Sequence, residues 1–187
     1  MKTFYYNSCL VFVSGLFANT LYAQEPALAE REMNKAHHRI SIFVAHPLIP
    51  ATNEAGDVKK NFIVSTIGLN YDWWQSNKWT IGLHNDFIIQ SFTYENSNNK
   101  QTVERVYPLL STLVAVYKPG RHITVFTGPG REFEKHETFT VIKSGIEYGI
   151  ELSKQWEVAT GLEYDVKING YNSWLPGIGF SRSFGGK

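Results

Sequence analysis

The 187-residue chain contains a single cysteine, Cys9, within its first two dozen residues. The rest has no thiol, which excludes a disulfide framework and any cysteine-ligated metal there. Charge is scarce and balanced: charged residues make up 19% and the formal net charge is +1. No basic field is available for a nucleic-acid partner. No apolar run approaches the roughly 20 residues that a membrane-spanning helix needs. Helical periodicity is missing as well, since no segment sustains apolar residues at three- and four-residue spacing.

The opening residues are read separately. Lys2 starts the chain, an apolar run covers 10–17, and Leu21-Tyr22-Ala23 ends a region of small residues. That order predicts a secretory signal peptide cleaved after Ala23. Cys9 precedes the apolar run, which is the wrong place for a lipid-attachment cysteine. The expected segments are a signal peptide over 1–23, a polar tether over 24–38 and one domain over 39–187. An exported domain without disulfides suits a bacterial envelope.

What the chain does have is alternation. In 139–165, Ile142, Ile146, Tyr148, Ile150 and Leu152 share one face, with Lys143, Gly145, Glu147, Gly149 and Glu151 on the other. After Ser153-Lys154-Gln155, residues Trp156, Val158, Thr160, Leu162 and Tyr164 alternate with Glu157, Ala159, Gly161, Glu163 and Asp165. Successive strand side chains point to opposite sides, so this is a hairpin with one apolar and one charged face. Similar reasoning predicts eight strands, over 39–49, 61–71, 78–94, 102–117, 122–130, 138–152, 155–165 and 173–184. The connections run long, short, long, short, long, short, long. An all-β, eight-stranded antiparallel up-and-down transmembrane barrel has that order, with long outer loops, short periplasmic turns and both termini on the periplasmic side.

The aromatics fit two belts. Tyr71, Trp73, Trp74, Trp79, Tyr117 and Trp156 flank the short turns, and Tyr107, Tyr148, Tyr164 and Trp174 are expected nearer the long loops. Amphipathic rings collect at the two interfaces of a bilayer. The opposite faces are polar or tiny, as in Thr80, Gly82, His84, Asp86 and Gln90. About eight strands leave room only for interlocking side chains. Pairing Leu152 with Trp156 sets Lys143 opposite Asp165, near the outer end. Glu147 and Glu163 become diagonal neighbours that repel unless a cation from Arg39, Arg105 or Arg131 intervenes. Buried charges are costly unless paired, so an interlocked polar network of Lys143, Asp165, Glu147, Glu163, His84 and Asp86 is expected. Strands four and five are apolar on both faces, and their parity is open.

Residues 39–184 resemble the small eight-stranded outer-membrane barrels of Gram-negative bacteria, the porin-like outer-membrane protein β-barrel families. The resemblance rests on the alternation, the Trp/Tyr belts, the loop order and a last strand, GIGFSRSF, similar to a barrel-closing assembly signal. Those families usually end on the aromatic; here Gly185-Gly186-Lys187 follow Phe184. TIGLHNDF and EYGIEL look like a branch to which the resemblance attaches no activity. It implies residence in the bacterial outer membrane, lipid as surroundings and the barrel assembly machinery as a partner during insertion. A closed barrel leaves no free edge, so a monomer is expected.

No motif carries catalysis, and no cofactor or metal is expected. His84 and Asp86 could join Glu147 or Glu163 at a cation, but read more simply as hydrogen-bonded lumen groups. His136, with Glu134 and Glu137, reads as a solvated loop, and His37-His38 as plain tether. Gly128-Pro129-Gly130 lacks the helix start that a phosphate cradle requires and reads as a strand end or bulge. The leading function is a structural, surface-interaction or minor solute-passage role around a filled polar lumen. One alternative is a lipid-modifying outer-membrane enzyme, which needs a His, a Ser and a carboxylate to converge. The other is a soluble periplasmic lipocalin-like carrier, which needs an apolar lumen and a polar exterior.

Overall fold

A computed structural model describes residues 37–51, 60–95, 102–135 and 137–185. The signal peptide with Cys9, most of the tether, His136, the centres of two long loops and Gly186-Lys187 lie outside the described residues. Twelve strands are described: β1 (His37–Ala45), β2 (Leu48–Ala51), β3 (Lys60–Ile63), β4 (Thr66–Trp74), β5 (Trp79–Ile88), β6 (Phe92–Glu95), β7 (Thr102–Arg105), β8 (Leu109–Tyr117), β9 (Ile123–Phe133), β10 (Phe139–Glu151), β11 (Trp156–Lys167) and β12 (Asn172–Gly185).

Eight of them form an antiparallel sheet in the order β1-β4-β5-β8-β9-β10-β11-β12, and β12 pairs back onto β1. This is the closed up-and-down barrel expected from the alternation. The β10–β11 register matches expectation too, from Glu151 opposite Glu157 to Lys143 opposite Asp165. His37 and His38 belong to β1, paired with Trp74 and Trp73, so they are strand and not tether.

The other four strands correct the sequence reading. Each of the first four predicted strands is broken in two. The breaks fall at His46-Pro47, Val64-Ser65, residues 89–91 and residues 106–108. Pro47 and Pro108 have no N–H to give a ladder, and Tyr107 before Pro108 takes a left-handed φ of 48°. Beyond the breaks, β2 pairs with β3 and β6 with β7 as short hairpins at the long-loop end.

The faces follow strict alternation. On β4 and β5 every second residue is buried. Strands β8 and β9 bury Leu110, Thr112, Val114 and Val116, and Thr124, Phe126 and Glu132, which settles their parity. Outward stand Ile40, Ile42, Ile67, Leu83, Ile146 and Ile178, all large, apolar and exposed. Two small residues make the interior possible. A Cβ on Gly82 would lie 2.1 Å from Asp72 Oδ1, and one on Gly145 would lie 2.3 Å from the Phe126 ring. Gln90, expected inside, is exposed past the end of β5, where its side-chain oxygen accepts the Ser65 N–H.

Candidate functional site

Among the described residues, the lumen gathers buried polar side chains, and it is filled in tiers. At the short-turn end, Trp74, Val114, Val116 and Phe126 form an apolar cluster. Beside it, Arg39 reaches three carboxylates. Its Nε donates to Asp72 Oδ2 at 2.9 Å, and its guanidinium lies 3.2 Å from Glu157 and 3.7 Å from Glu147. Arg39 thus supplies the cation that Glu147 needs. Lys118 also reaches Glu157, at 3.1 Å. His84 Nε2–H donates to Asp72 Oδ1 at 3.1 Å.

The middle tier centres on Lys143, whose side chain is 0% exposed. Its ammonium donates to Asp86 at 2.6 Å and to Glu163, and stands 3.4 Å from Asp165. Three carboxylates converge on one cation. Lys167 shares Asp165 at 3.8 Å and joins the upper tier, 3.5 Å from Glu132. There Arg105 donates to Glu132 at 2.8 Å, and the Tyr171 hydroxyl donates to the same carboxylate at about 2.9 Å. Burial, then the neighbouring Glu132 carboxylate, push the Tyr171 hydroxyl well above its ordinary value. A second apolar cluster, including Ile49, Phe92, Tyr94, Leu110, Phe139 and Tyr171, closes the long-loop end.

All six residues expected in the lumen therefore face inward, but in two groups. Lys143, Asp86, Glu163 and Asp165 meet; His84 and Glu147 instead meet the Asp72–Arg39 pair. Sequence reasoning placed Asp72, Glu132 and Lys167 in loops, where they were missed as network members. Extending the alternation puts Asp72 on the face of Asn70, Glu132 on that of Gly130, and Lys167 on that of Asp165. Arg131 is exposed on the outer face and plays no part in the lumen.

The aromatic belts need two corrections. Trp73 is 46% exposed, whereas Trp74 is 3% exposed and points inward, because adjacent strand residues cannot share a face. His37 stacks on Trp74 at 5.6 Å. Tyr148 lies at the short-turn end, not the long-loop end: it pairs in register with Ile123 and stacks on His122 at 5.5 Å. Nine residues of β10 precede Tyr148, but only three follow it before the short turn. Tyr71, Trp79, Tyr117 and Trp156 join Trp73 near the short turns, with Trp79 and Tyr117 in contact at 4.5 Å. Tyr164 and Trp174 pair at 4.4 Å toward the long loops, and Tyr107 is exposed there.

The lumen can hold fixed charges and exclude solvent. His84 has a carboxylate partner but no serine hydrogen-bonded to it. Among the described residues, no cluster of His, Cys, Asp and Glu could hold a metal ion. Gly128-Pro129-Gly130 lies inside β9, neither at its end nor in a phosphate loop.

No family model and no curated protein matches the chain. Solved structures do share its fold. The outer membrane protein OprG from Pseudomonas aeruginosa is 12% identical with a TM-score of 0.53, covering 82% of this chain and 97% of that one. Ail, the attachment invasion locus protein of Yersinia pestis, solved in complex with the heparin analogue sucrose octasulfate, is 14% identical with a TM-score of 0.52, covering 80% and 99%. Neisserial surface protein A is 9% identical with a TM-score of 0.51, covering 79% and 97%. At such identities the likeness speaks for architecture alone, and the architecture is that of the small eight-stranded outer-membrane β-barrels.

Proposed function

We propose that the chain is an integral outer-membrane barrel with a structural or surface-interaction role, a closed lumen and no catalysis. The observation that carries this reading is the inversion of faces. Large apolar side chains stand exposed around the outside, while Lys143, Glu163, Asp165, Asp72 and Arg105 are buried within. A water-soluble fold does the reverse; contiguous exposed apolar surface of this extent needs an apolar medium to cover it. The same inversion opposes a lipocalin-like carrier. A lipid-modifying enzyme is opposed by the burial of His84 and Asp72 in the lumen, on the face opposite the lipid-facing side chains.

On this reading the turns at 75–78, 118–122 and 152–155 face the periplasm and the β2–β3 and β6–β7 hairpins face outward. Lipid is the main partner, the assembly machinery acts during insertion, and the monomer is the working form. Fractionation tests the placement. The protein should need detergent for extraction and migrate differently on gels before and after heating. Recovery in the aqueous phase without detergent would refute it.

A further inference from the structure

At the short-turn end a cation stands on the outer side of the wall. Arg182 alternates outward on β12 with Phe180 and Phe184 and is exposed. Its guanidinium lies 5.0 Å from the centroid of the Trp156 ring, which stacks on Phe180 at 4.9 Å. No carboxylate among the described residues pairs with it. It borders an apolar groove of about 550 Å³ lined by Ile40, Ile42, Trp156, Phe180, Arg182 and Phe184.

Its height on the wall is fixed by register. Arg182 is opposite Trp156, the first residue after the short turn, and Ser183 N–H donates to the Gln155 carbonyl at 2.8 Å. Arg182 is therefore level with the turn, at the membrane interface if the barrel spans a bilayer. An outward arginine is costly at mid-membrane and nearly free at the interface. Stacking on an aromatic ring occupies the guanidinium face and leaves its edge N–H donors open, in a fork that fits phosphate oxygens.

We propose that Arg182 and this groove form a binding site for a phospholipid of the periplasmic leaflet. The phosphate is received by the Arg182 edge, and an acyl chain lies on Ile40, Ile42 and Phe180. The choice of occupant follows from the charge: an otherwise apolar groove carries one uncompensated cation at headgroup height. The inference rests on the outer-membrane reading above.

Native mass spectrometry of the detergent-extracted full chain, with phosphatidylglycerol added back after delipidation, tests it. Arg182→Gln should weaken lipid retention about tenfold, and Arg182→Lys less, since an ammonium keeps the charge but loses the fork. Trp156→Leu should give an intermediate loss. Arg121→Gln, at another short turn, should match the parent chain. Diacylglycerol should be retained poorly, and millimolar inorganic phosphate should not displace the phospholipid. Unchanged retention by Arg182→Gln, equal retention of diacylglycerol, or displacement by phosphate would each overturn the site. Heat-modifiable migration is recorded on the same samples. If the parent chain lacks it, the outer-membrane reading itself fails; if it persists while retention ignores Arg182, only the lipid site fails.

Discussion

Lys143 is the residue on which the middle of the barrel depends. Its ammonium is in contact with Asp86, Glu163 and Asp165, all buried. Replacing it with methionine leaves three carboxylates without their shared cation. Breaking a buried ion pair from one side costs about 3–5 kcal/mol, so Lys143→Met should lower the urea midpoint of the detergent-folded barrel by a corresponding amount. Glu163→Gln should cost less, roughly 1–2 kcal/mol, because Lys143 keeps two partners and the amide can still accept a hydrogen bond. Equal losses from the two variants would mean that the three carboxylates do not share the ammonium as the geometry indicates. At the long-loop end, Tyr171 gives a pH prediction. Its hydroxyl is held above its ordinary value of 10.0, so the folded state retains the proton longer than the unfolded chain does. The stability it contributes is full below that value and is lost as pH rises through and beyond it. Ultraviolet difference absorbance should show two tyrosines ionising late, since burial also pushes the Tyr94 hydroxyl up to about 12. Tyr171→Phe should remove one of the two late ionisations and flatten the alkaline loss of stability.

Among the elements, β9 is the least ordinary. Its ladder to β8 pairs Thr112 with Gly130 and Ala115 with Thr127, and skips the two positions between. Pro129 has no N–H to offer, and Gly128 approaches the neighbouring backbone so closely that a Cβ would lie 1.9 Å from the Leu113 carbonyl oxygen. A backbone atom cannot rotate aside as a side chain can. Gly128→Ala should therefore destabilise the barrel by about 1–3 kcal/mol or more. Gly120→Ala, in a turn where nothing lies within 4 Å, should fall within about 0.5 kcal/mol of the parent. The comparison is read from the folded fraction on unheated gels across a urea series. The β9 strand itself was legible from the tight turn before it, but its parity was not, because both of its faces are apolar. The close approach was not, because it depends on how near the backbone of β8 comes, and no pattern within β9 records that distance.

For the whole molecule, the tiers predict a blocked pore. Apolar clusters close the two ends, and Lys143, fully buried, closes the middle. In planar bilayers the inserted protein should pass little or no steady current. A large, stable conductance would show that the lumen opens to water. The closing at the long-loop end depends on the breaks at His46-Pro47, residues 89–91 and residues 106–108, beyond which β2–β3, still joined to β12 at Trp174, and the separate β6–β7 hairpin bring Ile49, Phe92 and Tyr94 into one cluster. In the sequence those segments read as straight extensions of their strands: alternation runs on through His46-Pro47 and Val64-Ser65, and the shift of buried parity between Arg105 and Pro108 lies in a strand apolar on both faces.

Alternation along single strands determined the barrel, the apolar exterior and the β10–β11 register, because a period of two is a local property that any reader of the chain can follow. It also put Lys143, Asp165, Glu147, Glu163, His84 and Asp86 on the inner face, while Asp72, Glu132 and Lys167 fell beyond the strand ends it marked. Neighbouring strands bring some of these charges together, as the hairpin register does for Lys143 and Asp165; the meetings across the lumen were decided only by closure. Strand pairing brings Asp72 to Arg39 and Asp165 to Lys143, whereas Lys143 and Asp86 come from β10 and β5 and meet across the lumen. His84 meets Asp72 as a diagonal neighbour on the adjacent strand β4. Glu147 on β10 meets Arg39 on β1 because the wall closes, and separation in sequence carries no record of the distance between them.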